Sequence, residues 1–298
     1  MEKQYLMHMI TPDKNLSAFD VNMAFDAGWT AMPYLGVVLD EVTMIVQDAI
    51  FSRGPKGLKR TGIFIGGKDM HLAMDMLNTA KEAMVPPFEI SVFTDPSGAF
   101  TTAAAMVAVV AHQLKIKNGE GLEGQRILVL GGTGPVGASS AVLAAKLGAK
   151  VTILGRAIDK ANKVAGLCNS RYGTIVAGIE GDANDHIGDL LQYADVIFAT
   201  AKAGVQVLNE KQVTSAAKLK VAADLNAVPP AGIAGINLHD NGELIKASKS
   251  GAVGIGALAI GDIKYHTQQE LLIQMHNTEK PLYLHFEDAF KVATDQVH

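Results

Sequence analysis

Short apolar runs alternate with longer amphipathic stretches along almost the whole chain, and their lengths separate strands from helices. Tyr5–Ile10 is apolar enough for a buried strand, and Ser17 offers an N-cap to a helix over 18–27. Residues 31–38 and 61–65 read as further strands, the second leading through Gly66-Gly67 into a helix over 69–84. Pro86-Pro87 breaks that helix, 88–93 reads as a strand, and Asp95-Pro96-Ser97-Gly98 as a turn before a long apolar helix over 101–114. A polar, glycine-containing segment, 115–124, then interrupts the pattern and marks a domain boundary. Beyond it come a strand at 126–130, a helix at 135–147, a strand at 150–154, a helix at 159–169, a strand at 173–178 and a helix at 184–193. Strands at 195–199 and 219–223 and helices at 267–276 and 286–292 complete the list. Strands spaced by helices of this length imply a mostly parallel sheet covered on both faces. The expected fold class is therefore α/β, with two α/β domains. The first covers 1–117, completed by the terminal helices of 266–298, and the second covers 118–265.

Composition changes the picture only by exclusion. The 298 residues are 48% hydrophobic and 19% charged, enough to bury a core and too apolar for disorder. A net charge of −4 leaves no electrostatic footprint for nucleic acid or an anionic membrane. The run Ala103–Ala111 is about half of a bilayer-spanning length and reads as a buried helix. A single cysteine, Cys168, excludes an intramolecular disulfide and any multi-cysteine metal site. With no signal-peptide pattern at the start, a soluble cytoplasmic protein is expected. The nine histidines form no HxxxH pair, and no metal site is expected.

The strongest chemical signal follows the strand at 126–130. Gly132-Thr133-Gly134-Pro135-Val136-Gly137 is a GxGxxG run placed between a strand and a helix. In that context the glycines have separate tasks: Gly132 for the tight turn, Gly134 for close approach of a pyrophosphate, Gly137 for packing helix on strand. The helix N-terminus offers free N–H groups and a positive dipole end to phosphate. The second domain is thus expected to be of Rossmann type and to bind a dinucleotide. An acidic residue for the ribose 2′-hydroxyl of NAD is expected about 20 residues on, yet the strand at 150–154 ends in Gly155-Arg156, with Lys160 a turn later. A guanidinium suits a 2′-phosphate, so NADP is the expected cofactor, with NAD second. A solvated loop charge is the plainer reading of Arg156. Thr200, Ala201 and Asn226 fall just after later strands, where open α/β sheets meet their ligands; Asn226 either bonds a carboxamide or caps a turn before Pro229-Pro230.

Substrate-side candidates are Asp20, in Phe19-Asp20-Val21-Asn22, Thr101-Thr102 at the start of the apolar helix, and Lys264, closing the glycine-rich string from Gly254. Asp95 and Ser97 are weaker ones. Against these stand plain readings: an exposed helix carboxylate for Asp20 and a snorkelling surface lysine for Lys264.

These strings together resemble the bacterial NAD(P)-dependent methylene-tetrahydromethanopterin dehydrogenases nearly end to end. The resemblance runs through Ser17–Ala24, Ile50–Arg53, Arg60–Lys68, Phe100–Thr102, the glycine loop, Asp224–Ile236 and Gly254–Lys264. It implies a two-domain homo-oligomer whose pterin-binding and NADP-binding halves face a cleft. It also implies oxidation of a methylene bridge to methenyl during formaldehyde oxidation, and places Asp20, Thr102 and Lys264 on the pterin side. Gly155-Arg156 departs from the NAD(P) branch towards its NADP-dependent sister. Hydride loss leaves a cation delocalised over two nitrogens and moves no proton, so no acid/base pair is required. Asp20 then has an electrostatic role, Lys264 a positioning role and Thr102 a supporting one. Rival readings are a methylene-tetrahydrofolate dehydrogenase and an NADP-sensing protein without turnover.

Overall fold

The computed structural model describes residues 4–180 and 187–297 and divides the chain into two compact units. One unit joins residues 1–101 to 265–292, and the other takes 102–264 with 293–298. The first division falls inside a helix, whereas the expected boundary at 117/118 lies at that helix's end.

The first unit begins β1 (Leu6–Thr11), α1 (Ala18–Asp26), β2 (Thr30–Leu35), α2 (Val42–Phe51), α3 (Pro55–Leu58), β3 (Thr61–Ile65), α4 (Met70–Glu82) and β4 (Ser91–Thr94). Helix α5 (Ala99–Asn118) carries the chain onward. The strands lie in the order 2-1-3-4, with a short late strand outside β4, and every pairing is parallel. Strand β2 is the edge. Thr30 and Gly36 donate their N–H groups to Tyr5 and Asp13, so the even positions face β1 and Pro33, which has no N–H, faces outward. A proline at that register blocks pairing with a further strand. Strand β4 starts three residues later than the apolar run suggests. Val85 and Phe88 exchange backbone hydrogen bonds around Pro86-Pro87, and this turn consumes the first part of the run.

The second unit holds β5 (Arg126–Leu130), α6 (Pro135–Lys146), β6 (Lys150–Gly155), α7 (Ile158–Tyr172), β7 (Val176–Glu180), α8 (Ile187–Leu191), β8 (Val196–Ala199), α9 (Glu210–Ser215), β9 (Val221–Asp224), β10 (Asn241–Leu244) and β11 (Val253–Ile255). Helix α10 (Ala257–Asn277) returns the chain to the first unit, where β12 (Tyr283–Leu284) is the strand outside β4 and α11 (Phe286–Gln296) follows. The seven-stranded order is β10-β11-β9-β8-β5-β6-β7, parallel except for β10. Without β10 this is the Rossmann order 3-2-1-4-5-6, with its switch point between β5 and β8. Part of the expected helix over 184–193 lies outside the described residues. Strand β7 begins at Val176 because Gly173 ends α7 in the left-handed region (φ 67°) and Asn169 holds the Val176 N–H at 2.7 Å.

Helix α5 is longer than its most apolar run. From Pro96 to Asn118 the segment is long and apolar enough to cross a membrane by length and composition, yet 67% of its most apolar window is buried inside the protein. Asp95 fixes its start: one carboxylate oxygen accepts the Phe100 and Thr101 N–H groups, and the other the Thr101 hydroxyl at 2.6 Å. Asp95 is thus a cap, satisfying donors that a helix cannot satisfy itself.

Candidate functional site

At the switch point of the seven-stranded sheet, β5 stops at Leu130 and Gly131 turns the chain with φ 76°. A Cβ at Gly131 would stand 2.6 Å from the Ala201 backbone, so the loop presses against the segment after β8. The tight turn therefore belongs to Gly131, not to Gly132 as the motif suggested. Gly132 is required where the loop crosses β6: its N–H donates to the Leu154 carbonyl at 3.1 Å, and a Cβ there would meet the Ile153 Cβ at 2.7 Å. Gly137 has the expected packing role, since a Cβ would lie 2.6 Å from the Gly132 Cα.

Gly134 differs from these three. It is the N-cap of α6, and a Cβ on it would meet nothing closer than the Gly131 carbonyl at 3.7 Å. Its backbone faces room rather than protein. Pro135 takes the first helical position, where no N–H is missed. The first-turn N–H groups of Val136 and Gly137 have no acceptor within the helix by its geometry. Room, donors and a positive helix end together fit a dinucleotide's pyrophosphate.

The neighbouring candidates gather at the same strand ends. The Thr200 N–H and hydroxyl both donate to the Leu130 carbonyl, at 2.8 and 3.0 Å, closing β8 onto β5. Asn226 performs the loop role of its two readings: its carbonyl oxygen accepts from Gly204 and Val228, and its amide donates to Pro230 at 2.6 Å. Asp224, buried beneath, accepts from Asn226 and Ile233, and burial pushes its carboxyl above the usual range against those bonds. Arg156 and Lys160 are exposed, the first just past β6 and the second in the first turn of α7. Gly155 is buried under the loop, where a Cβ would lie 2.6 Å from the Thr133 methyl. A separate cavity of about 690 Å³ opens at the amino ends of β5, β6 and β7, lined by Arg126, Lys150, Ile175 and Tyr193, and shares no residue with the glycine loop.

In the first unit, Asp20 occupies the first turn of α1, with Ser17 as N-cap. It is 1% exposed, so the exposed-carboxylate reading is wrong. Its Oδ1 accepts a hydrogen bond from the Gln268 amide at 2.8 Å, and Gln268 is itself fully buried. Sequence reasoning missed Gln268, although it stands one helical turn after Lys264 on α10, the spacing that shares a face. Thr102 and Lys264, both half-buried, begin and end the continuous stretch of the second unit. The glycine-rich setting of Lys264 is helical from Ala257 onward. Among the described residues no group of three His, Cys, Asp or Glu side chains could hold a metal ion.

A sheet in Rossmann order, with a glycine loop and an open helix N-terminus at its switch point, defines a dinucleotide-binding α/β protein. The family model for the N-terminal part of methylene-tetrahydromethanopterin dehydrogenase matches residues 18–97. The NAD(P)-dependent methylenetetrahydromethanopterin dehydrogenase of Methylorubrum extorquens is 46% identical over 292 residues, 97% of this chain and 98% of that protein. The bifunctional protein MdtA of the same organism is 32% identical over 296 residues, 99% of both chains. Among solved structures, ligand-free 5-ketofructose reductase of Gluconobacter is similar with a TM-score of 0.54, covering 99% of each chain at 14% identity, a likeness of fold alone. This chain belongs to the methylene-tetrahydromethanopterin dehydrogenase family.

Proposed function

We propose that the chain oxidises the methylene bridge of methylene-tetrahydromethanopterin to the methenyl level, with NADP, and less readily NAD, as acceptor. The observation that carries this reading is the 46% identity to a dehydrogenase of that name along nearly the whole of both chains. The nicotinamide, when bound, supplies the acceptor for the leaving hydride. The chain's own residues bind, orient and stabilise. Gly134 and the first turn of α6 take the pyrophosphate, and Arg156 with Lys160 takes the 2′-phosphate by charge-assisted bonds. Asp20 supplies negative charge to the cation forming on the pterin, and because Gln268 already holds its carboxylate, little reorganisation accompanies that charge. Lys264 and Thr102 orient the pterin, which suffices for a step that moves no proton.

The same reading puts the enzyme in the cytoplasm as a homo-oligomer working in formaldehyde oxidation, without nucleic-acid or membrane partners. One buried cysteine and the weak net charge support the cellular part of it. An absorbance assay decides the reaction. With methylene-tetrahydromethanopterin, reduced nucleotide and methenyl pterin form together, faster with NADP than NAD. Turnover of methylene-tetrahydrofolate alone, or nucleotide binding without any turnover, refutes the proposal.

A further inference from the structure

The glycine loop does not merely pass near the end of β6; it is seated on it. The Gly132 N–H bonds the Leu154 carbonyl, the Gly132 backbone lies on Ile153, and the Thr133 methyl lies over Gly155. Position 155, at the end of β6, also lies where an acidic residue for the ribose of NAD is expected, about 20 residues past the loop. A Cβ at Gly155 would lie 2.6 Å from the Thr133 methyl, a separation that carbon atoms do not tolerate, whereas its other neighbours, the Ala161 Cβ at 3.6 Å and the Ala157 carbonyl at 3.8 Å, are at ordinary contact. Thr133 alone stands in the way. Rotating it helps in only one of its three staggered positions, the one that turns the Thr133 Cβ hydrogen towards Gly155, because a β-branched side chain puts a heavy atom in the other two.

We propose that Thr133 and Gly155 form one coupled specificity element, in which the Thr133 methyl keeps any side chain, and so any carboxylate, out of position 155. The proposal rests on the dinucleotide reading of this loop. Its consequence is that the exposed Arg156 is only half of the nucleotide choice: the chain acquires the NAD-type carboxylate only if both positions change. Gly155→Asp alone has to force Thr133 into its one open position or lift the loop off β6, and the loop carries the pyrophosphate site, so both nucleotides suffer.

Calorimetric binding of NADP and of NAD to the full-length chain tests this. G155D should bind NADP at least about tenfold more weakly than the wild type and gain no affinity for NAD. T133A/G155D should bind NAD about tenfold or more tightly than G155D does, and more tightly than it binds NADP. Should G155D fail to fold, judged by circular dichroism, G155A and T133A/G155A decide. The first should lose about tenfold in NADP affinity and the second regain most of it. G155D binding NAD as well as the double variant does, or double variants no better than the single ones, overturns the proposal while leaving the dinucleotide reading intact. A wild-type chain that binds neither nucleotide overturns both.

Discussion

Arg156 is a single exposed cation, and its value depends on what it meets. In water it contributes little to folding; opposite a dianionic phosphate it makes short charge-assisted bonds. The two situations separate in kinetics. Arg156→Ala should raise the KM for NADP by about tenfold and leave that for NAD within about twofold. Equal effects on both nucleotides, or none, would return Arg156 to the plain loop charge. Cys168 shows the opposite use of environment. Burial pushes its thiol up to about 11, so at neutral pH it is an inert core side chain with no thiolate to offer. Asp20 lies between these cases: a buried carboxylate costs stability unless its oxygens are bonded, and the Gln268 amide meets one of them.

Helix α10 is the element that brings this about, carrying Lys264 and Gln268 one turn apart. If Gln268 acts through Asp20, their substitutions are not independent. Asp20→Asn should lower kcat by at least about tenfold, and Gln268→Leu by a smaller factor. Added to D20N, the Gln268→Leu change should then cost almost nothing, whereas a purely structural role would multiply the two losses. Much of this element scale was legible beforehand. The strand–loop–helix signal at 126–147 and the Ser17 cap before α1 needed only local chemistry, and local chemistry decided them. Helix α2 is absent from the sequence expectations although Val42, Val46, Ala49 and Ile50, all buried, have helical spacing. Strand β11 was hidden in a glycine-rich string because three residues carry no period. The partner of Asp20 was illegible for a different reason: 248 positions separate it from Gln268, and only the fold joins them. The tight-turn role fell on Gly131 rather than Gly132 because the two are equivalent as letters and differ only in which neighbour lies overhead.

At the scale of the molecule, each unit is built on a largely parallel sheet, and open α/β sheets take their ligands at the carboxyl ends of such strands. The first unit's order, 2-1-3-4 with β12 outside, has its switch point between β1 and β3. The β1–α1 connection leads from there directly to Asp20. Stability should depend on pH through the opposite region of this unit. His276 stacks on Tyr5 at 3.9 Å and edge-on to Trp29, the single tryptophan. Burial, then the nearby Arg60, holds His276 below its ordinary 6.5, and burial with Arg53 does the same to His8. The unfolded chain therefore takes up protons near pH 6.5 that the folded chain refuses. Stability is full above that pH and falls as the medium is acidified through the folded values. Thermal unfolding followed by Trp29 fluorescence should show a lower Tm at pH 5.5 than at 7.5, and a smaller drop in His276→Phe. An unchanged slope in that variant would assign the effect elsewhere.

In the proposed reaction the bridge carbon gives its hydrogen directly to the nucleotide. Methylene-tetrahydromethanopterin made with a dideuterated bridge and oxidised with NADP tests it by mass spectrometry. Direct transfer predicts one deuterium on each reduced nucleotide, the other kept on the methenyl carbon, and none in water. Deuterium appearing in solvent, or reduced nucleotide without label, would contradict it.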